Sequence, residues 1–281
     1  MAIVAQIMGG LGNQLFIYAM GRAISLKNNV PLKLDVISGY KKDHYNRKFL
    51  LGELNIASDI ANKLESNDFP GGKFILRLSS SLNSFLPFNR RWILSENSQK
   101  FEAEFISAPR KSAYLIGYWQ SYKYFQEFAQ QVREGLTLKV PLNGGNLDVE
   151  REILNSESVS VHVRQDNLSH RLNCDYYFKA VEMLKSRVRN PRYFIFSDSP
   201  GVSAELSAGL SARLVNVNGP DECCKDLALM SHCRHHIIAN STFSWWGAWL
   251  ADSEDKCVIA PQSITKFNSD IIPPEWTVLA Y

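Results

Sequence analysis

From about residue 146 onward the chain alternates strand-length apolar runs with helical stretches, and that alternation leaves few folds open. Apolar runs at Val159–Val163, Tyr193–Phe196, Leu214–Val217, His236–Ala239 and Cys257–Ala260 are separated by helical spacing over 175–188, 201–209, 222–233 and 243–251. Strands that return through crossover helices pair in parallel, with helices covering both faces of the sheet. In such sheets ligands gather beyond the carboxyl ends of the strands. Three polar clusters fall at those ends: His162-Val163-Arg164, Ser197-Asp198 and Asn240-Ser241-Thr242. The chain begins in the same style. Residues 2–8 read as extended, Gly9 to Asn13 as a glycine-rich turn, Leu15 to Leu26 as a helix and Val30 to Asp35 as a second strand. Between about 52 and 140 the pattern is less regular and reads as mostly helical, with an aromatic cluster from Tyr114 to Phe128.

A length of 281 residues exceeds what one core usually serves. The turn chemistry of Pro141 to Asn146 makes it the best linker. The expected organisation is therefore an N-terminal domain over 1–145 and a C-terminal domain over 146–281.

The charge balance excludes one large class of function. Thirty-one Lys and Arg against 28 Asp and Glu leave a formal +3, too small an excess for a nucleic-acid binder with a dense basic stripe. A local basic pocket for one anion stays open. The five cysteines follow no metal-ligand spacing, and an odd count without a framework suits free thiols in a reducing compartment. The opening run Ala2 to Met8 is of strand length, lacks a basic start and is too short for a leader or anchor. The expected location is the cytoplasm.

The sharpest local feature is Ile237-Ile238-Ala239-Asn240-Ser241-Thr242-Phe243-Ser244-Trp245-Trp246. An apolar strand ends in hydroxyl-bearing residues and passes directly into an aromatic helix. Asn240, Ser241 or Thr242 can cap that helix, whose first-turn amides and positive dipole end then suit a phosphate. An ordinary N-cap on a packing helix is the plainer reading, and the two roles are compatible. His162 and Arg164 share one face of their strand. An arginine at a buried strand end needs an anion, either a structural carboxylate or a departing diphosphate. His162 by itself reads as a core histidine before it reads as a base. Ser197-Asp198 could accept from a purine or a ribose hydroxyl, or could cap the helix near Pro200. Gly9-Gly10-Leu11-Gly12-Asn13-Gln14 is not the GxGxxG dinucleotide fingerprint, although Asn13 or Gln14 could bond a sugar. No DxD occurs, so a leaving diphosphate would rely on arginine and backbone amides rather than on a carboxylate-held metal.

Together these segments resemble the α-1,2-fucosyltransferases of glycosyltransferase family 11, related to blood-group H enzymes and bacterial O-antigen enzymes. The resemblance rests on GGLGNQLFIYAMGRA at 9–23, GYWQSYKYF at 117–125, VSVHVR at 159–164, FSD at 196–198 and DLALMSHCRHHIIANSTFSWWGAWLA at 226–251. It implies an α/β fold of GT-B type, two Rossmann-like domains with the donor site in the C-terminal one. It also implies GDP-fucose as donor substrate, inversion at the anomeric carbon, no metal and no cofactor. By resemblance Arg164 contacts the donor diphosphate with His162 as its motif partner, and Asp198 contacts guanosine. Ser241, Thr242 and Phe243 form the phosphate turn, Asn13 lies near the transferred sugar, and Gly12 joins them among the donor-binding residues.

One segment departs from the family. Where the family reads HxRRGDY, this chain has Gln165 for the second arginine and Asn167 at the aspartate position, with Asp166 one residue early. A shift of one residue on a strand reverses its facing.

The expected reaction is transfer of fucose to the 2-hydroxyl of a terminal galactose in a glycan acceptor. Arg164 and the Ser241–Phe243 turn would bear the leaving charge, and Asp166, His162 and Asp35 are the candidate bases. The altered segment keeps a rival in view, a GDP-sugar-binding protein with weak or no transfer. A nucleotide-sugar oxidoreductase is disfavoured by the missing fingerprint. The stretch Lys73 to Trp92 mixes apolar residues with Lys73, Arg77, Arg90 and Arg91. It reads as a packed helix with solvated charges before peripheral contact with a membrane carrying a lipid-linked acceptor.

Overall fold

The computed structural model describes residues 1–41, 43–61, 82–83, 85–164, 172–198, 200–262, 264 and 269–280. The chain forms two compact units, Met1–Thr137 and Leu138–Tyr281.

The first unit is built on a parallel sheet in the order β3-β2-β1-β5-β4. Its strands are β1 (Ile3–Gln6), β2 (Leu32–Asp35), β3 (Asp59–Ile60), β4 (Ile93–Ser95) and β5 (Ala113–Ile116). Helix α1 (Leu11–Asn28) follows β1 and has apolar residues on every side, so it is a core helix rather than an amphipathic one. Leu15, Phe16, Ile17, Tyr18, Ala19 and Met20 are all fully buried. The helix stops where Asn29 turns left-handed at φ +50° and its N–H bonds back to the Leu26 carbonyl. Two short helices, α2 (Glu104–Ser107) and α3 (Ala129–Gly135), also belong to this unit.

The second unit carries a six-stranded parallel sheet in the order β11-β10-β9-β6-β7-β8. Its strands are β6 (Ser158–Val163), β7 (Arg192–Ser197), β8 (Arg213–Val215), β9 (His235–Ile237), β10 (Val258–Pro261) and β11 (Thr277–Leu279). They alternate with α4 (Gly145–Leu154), α5 (Cys174–Lys185), α6 (Pro200–Leu210), α7 (Cys223–His232) and α8 (Thr242–Leu250). Every residue of β6 is buried, as expected of a central parallel strand covered on both faces. On one face Val159, Val161 and Val163 pack with Tyr176, Tyr177 and Val181 of α5. On the other, Phe194 and Phe196 pack with Val149 and Ile153 of α4 and Leu229 and Met230 of α7. The Tyr176 hydroxyl donates to the Ile238 carbonyl at 2.7 Å, tying α5 to the end of β9. In α8, Trp245 and Trp246 meet edge to face at 5.0 Å, and the Trp245 Nε1 donates to the Ile271 carbonyl.

Several expectations shift. Leu11, Gly12 and Asn13 belong to the first turn of α1 rather than to a loop, because the chain needs only Gly9-Gly10 to reverse. Among its described residues the middle region is not mostly helical. It contributes three strands of two to four residues, too short to show a period of two. The division between the units falls between Thr137 and Leu138, and Gly145 and Asn146 already lie in α4. β8 ends at Val215 and β9 at Ile237, each earlier than the apolar runs suggest. All five cysteines are thiols. Of the stretch Lys73 to Trp92, residues 73–81 and 84, Lys73 and Arg77 among them, lie outside the described residues; of the others, 82–83 are helical and Phe88–Arg90 form a 3-10 turn.

A buried polar pair ties this fold to pH. His236 in β9 is fully buried, with Nδ1 2.7 Å from the Ser160 hydroxyl of β6. Burial, then the nearby Lys256 charge, holds its pKa well below the ordinary histidine range. The unfolded chain takes up a proton at this imidazole below a pH of about 6.5, whereas the folded chain does not. The stability His236 contributes is therefore present above that pH and is lost as pH falls toward the folded value. Urea unfolding at stepwise lower pH should show wild type losing up to about 1.4 kcal/mol per pH unit relative to His236→Asn. Parallel curves for the two proteins would refute the assignment.

Candidate functional site

The carboxyl edge of the second sheet brings the strand-end clusters together. Val163 is in register with Ser197, so Arg164 and Asp198 leave neighbouring strands at the same level. On the other side β6 pairs with β9, and the chain runs through Asn240 into α8. Ser241 is the residue that caps this helix. Its hydroxyl accepts from the Phe243 amide at 3.3 Å, and its carbonyl takes the first helical bond, from Trp245 at 3.0 Å. Arg164 Nη1 donates to the same hydroxyl at 3.4 Å. A guanidinium and the opening of a helix thus converge on one oxygen.

His162 lies on the same face, buried, with its ring 5.4 Å from that of Phe243. Its carbonyl accepts from the Tyr177 hydroxyl of α5 at 3.1 Å, which fixes the end of β6 beneath Arg164. Burial raises the pKa of the Tyr177 phenol, and the Asp198 carboxylate adds to the shift. Tyr177 therefore stays a neutral donor. Asp198 itself is exposed just past β7. The arrangement offers a cation, helix-opening amides and an exposed carboxylate along one sheet edge, a set suited to an anionic nucleotide.

The carboxyl edge of the first sheet carries a second polar cluster. Gly9 turns left-handed at φ +76°, where a Cβ would meet the Asn13 amide at 2.8 Å. Asn13, on the first turn of α1, accepts at Oδ1 from Gln120 Nε2 at 2.9 Å. Gly12, beside it, is buried. Gln120 belongs to the loop that follows β5, held by Glu96 at the end of β4. The Glu96 carboxylate accepts from the Tyr118 amide at 2.7 Å and the Trp119 amide at 3.2 Å. Trp119 has φ +55°, a conformation that costs a side-chain-bearing residue about 1–2 kcal/mol. Burial of its indole edge to face against Phe105 and Tyr124 opposes that cost. Gly117 is required beside them, since a Cβ there would lie 2.5 Å from that of Glu96. Burial pushes the Glu96 pKa up, the two amides pull it down, and burial wins.

Some sequence candidates change role. Gln14 is committed to structure. Its amide donates to the Gly9 and Lys48 carbonyls, and its oxygen accepts from the Leu50 amide. Asp35 is also unsuited to act as a base. Burial opposes its charge, but the Ser38 and Tyr114 hydroxyls and the Ile37 and Ser38 amides outweigh burial and hold its pKa below normal. Asp166, Gln165 and Asn167 lie outside the described residues. Glu96, Gln120 and Tyr177 were not singled out from the sequence. The signal for Gln120 was its place in the aromatic run after an apolar strand. Among the described residues no cluster of three His, Cys, Asp or Glu side chains could hold a metal.

The pattern of the family described as Glycosyl transferase family 11 matches residues 91–280, more than half of the chain. The chain belongs to glycosyltransferase family 11. This glycosyltransferase is 37% identical to an alpha-1,2-colitosyltransferase of Escherichia coli, over 98% of its own length and 97% of the relative's. It is 28% identical to the O-antigen biosynthesis glycosyltransferase WbnK of Escherichia coli, over 91% and 92% of the two chains. Among solved structures, the fucosyltransferase NodZ from Bradyrhizobium matches with a TM-score of 0.55 at 15% identity, covering 89% of this chain and 92% of that one. That likeness is one of fold, and with the two parallel-sheet units it places the enzyme in the GT-B class. No helix among the described residues is long and apolar enough to cross a membrane.

Ser241→Ala removes the cap and one partner of Arg164 together. It should cost about 0.5–2 kcal/mol in urea unfolding, and Ser241→Thr should recover most of that. Unchanged stability in the alanine variant would show that the cap does not hold in solution.

Proposed function

We propose that this glycosyltransferase moves L-fucose from GDP-fucose to the 2-hydroxyl of a terminal galactose, forming an α-1,2 linkage with inversion. The observation that carries the reading is the meeting of Arg164 with the Ser241 cap of α8 at the sheet's carboxyl edge. The acceptor oxygen attacks C1 of the sugar while the bond from C1 to the diphosphate oxygen breaks, and the acceptor's proton leaves to solvent or to a weak base. Charge grows on the diphosphate as the bond lengthens. Arg164 and the amides of Thr242 and Phe243 are arranged to bind that charge, so the scheme calls for no metal and no cofactor. Asp198 is assigned to the guanosine, and His162 supports the arginine's strand. In this reading the C-terminal unit holds the donor and the N-terminal unit serves the acceptor. A glycan carried on a lipid would bring the enzyme to the inner face of the membrane.

A second donor is favoured by one specific observation, the 37% identity across nearly the whole chain to an alpha-1,2-colitosyltransferase. Colitose is fucose without its 3-hydroxyl, so the two donors share every group on which the diphosphate chemistry depends. Parallel reactions with GDP-fucose and GDP-colitose and a panel of galactose-terminated disaccharides, with the new linkage assigned by NMR, decide between them. The expected product is an α-1,2-fucoside. Colitose transfer alone would replace the donor, and tight GDP binding with no product from either would favour the sugar-binding protein. With the working donor, Arg164→Ala should lower turnover by roughly 10²–10³ with an unchanged unfolding curve. Near-normal turnover in that variant would contradict the scheme.

A further inference from the structure

Arg110 is a buried cation whose donors the N-terminal unit uses only in part. It lies in the loop between α2 and β5, 6% exposed, and its backbone amide donates to the Asn28 side chain at the end of α1 at 2.7 Å. Its Nη1 donates to the Arg91 carbonyl, just before β4, at 3.3 Å. Its Nε and Nη2 are buried and have no hydrogen-bond partner. Burial lowers the pKa of the side chain, and among the described residues no carboxylate opposes that shift. A guanidinium keeps its proton all the same.

An aromatic ring stands against this charge. The Arg110 guanidinium carbon lies 5.1 Å from the Phe88 ring centroid, and that of Arg91 lies 5.6 Å from the same centroid. A ring face attracts a cation far less than the water lost on burial did, and here one ring serves two cations. The two unpaired nitrogens are also the matched edge of the fork. The Nε–H and the adjacent Nη2–H point the same way, at the spacing of two oxygens on one oxyanion. Arg91 on the same ring, with Lys111 next along the chain, favours a group that carries more than one negative charge, as phosphate does.

We infer that Arg110 anchors an oxyanion site at the amino edge of the first sheet, its Nε–Nη2 edge taking two oxygens of a phosphate group. β4 and β5 run parallel, and Arg91 and Arg110 both precede them, so the site lies at the opposite end of the sheet from Asn13 and Glu96. Pro109 and Lys111 are exposed, and Phe88 and Arg91, which pack on Arg110, are half-buried, so the fork is close to the surface. The phosphate belongs to a free small molecule or to a lipid headgroup, which present the same oxygens. Nothing in the site depends on the proposed transfer reaction.

Calorimetric titration of the full chain with inorganic phosphate at constant ionic strength tests the site. An Arg164→Ala background takes away the guanidinium assigned to the donor, so that phosphate bound there does not contribute. One phosphate should bind in this background, and adding Arg110→Lys, which keeps the charge and loses the fork, should raise its Kd at least about tenfold. Adding Arg110→Met should abolish binding. Because it removes an uncompensated buried charge, its urea midpoint without phosphate should be no lower than that of the background. Affinity that survives both substitutions, no binding at millimolar phosphate, or a large fall in the Arg110→Met midpoint would each overturn the inference. Sedimentation with phosphatidic acid vesicles separates the two sources. Vesicle binding that Arg110→Lys weakens, and that inorganic phosphate competes away, supports a lipid headgroup, whereas phosphate binding with vesicle sedimentation unchanged by Arg110→Lys supports a free phosphate.

Discussion

One oxygen organises the candidate site of the C-terminal unit. The Ser241 hydroxyl closes the first turn of α8 and receives Arg164 from the end of β6. Its position follows from the parallel sheet, which sets β6 and β9 side by side so that residues just past their ends are neighbours. Tyr176 and Tyr177 fix those ends from the α5 side by donating to the Ile238 and His162 carbonyls. The fold therefore holds a positive helix end and a guanidinium together before any ligand arrives. Preorganised charge of this kind acts on a leaving group without reorganising first.

The N-terminal unit obtains rigidity by other means. Its sheet edge is shaped by backbone conformations that side chains must hold in place: a left-handed glycine at position 9, a left-handed tryptophan at 119 and a carboxylate on two loop amides. Asp35 performs the corresponding task beyond β2, accepting from two amides and from Tyr114. Two carboxylates near a candidate site thus serve as anchors for loops. This separates them from bases, whose lone pairs must remain available to a substrate proton.

How much of this was legible in the sequence depended on the range of the interactions involved. The C-terminal alternation of strand and helix, and the cap before the tryptophan helix, are local patterns and could be read directly. The roles of Asp35 and Gln14 could not, because their partners lie far along the chain. Tyr114 is 79 residues from Asp35, and Leu50 is 36 from Gln14. Glu96 was hidden for the same reason, 22 and 23 residues before the amides it holds. The strands of the middle region escaped notice because runs as short as Asp59–Ile60 and Ile93–Ser95 carry no periodicity. Family likeness supplied the rest, since neither a helix cap nor an arginine names a sugar.

The proposed chemistry depends on where the diphosphate rests. A crystal structure of the enzyme with GDP and excess magnesium measures this directly. The prediction is that phosphate oxygens lie within hydrogen-bonding distance, about 3 Å, of the Arg164 guanidinium and the Thr242 and Phe243 amides, with no metal between them. Phosphates held by a magnesium ion, or lodged away from the start of α8, would contradict it.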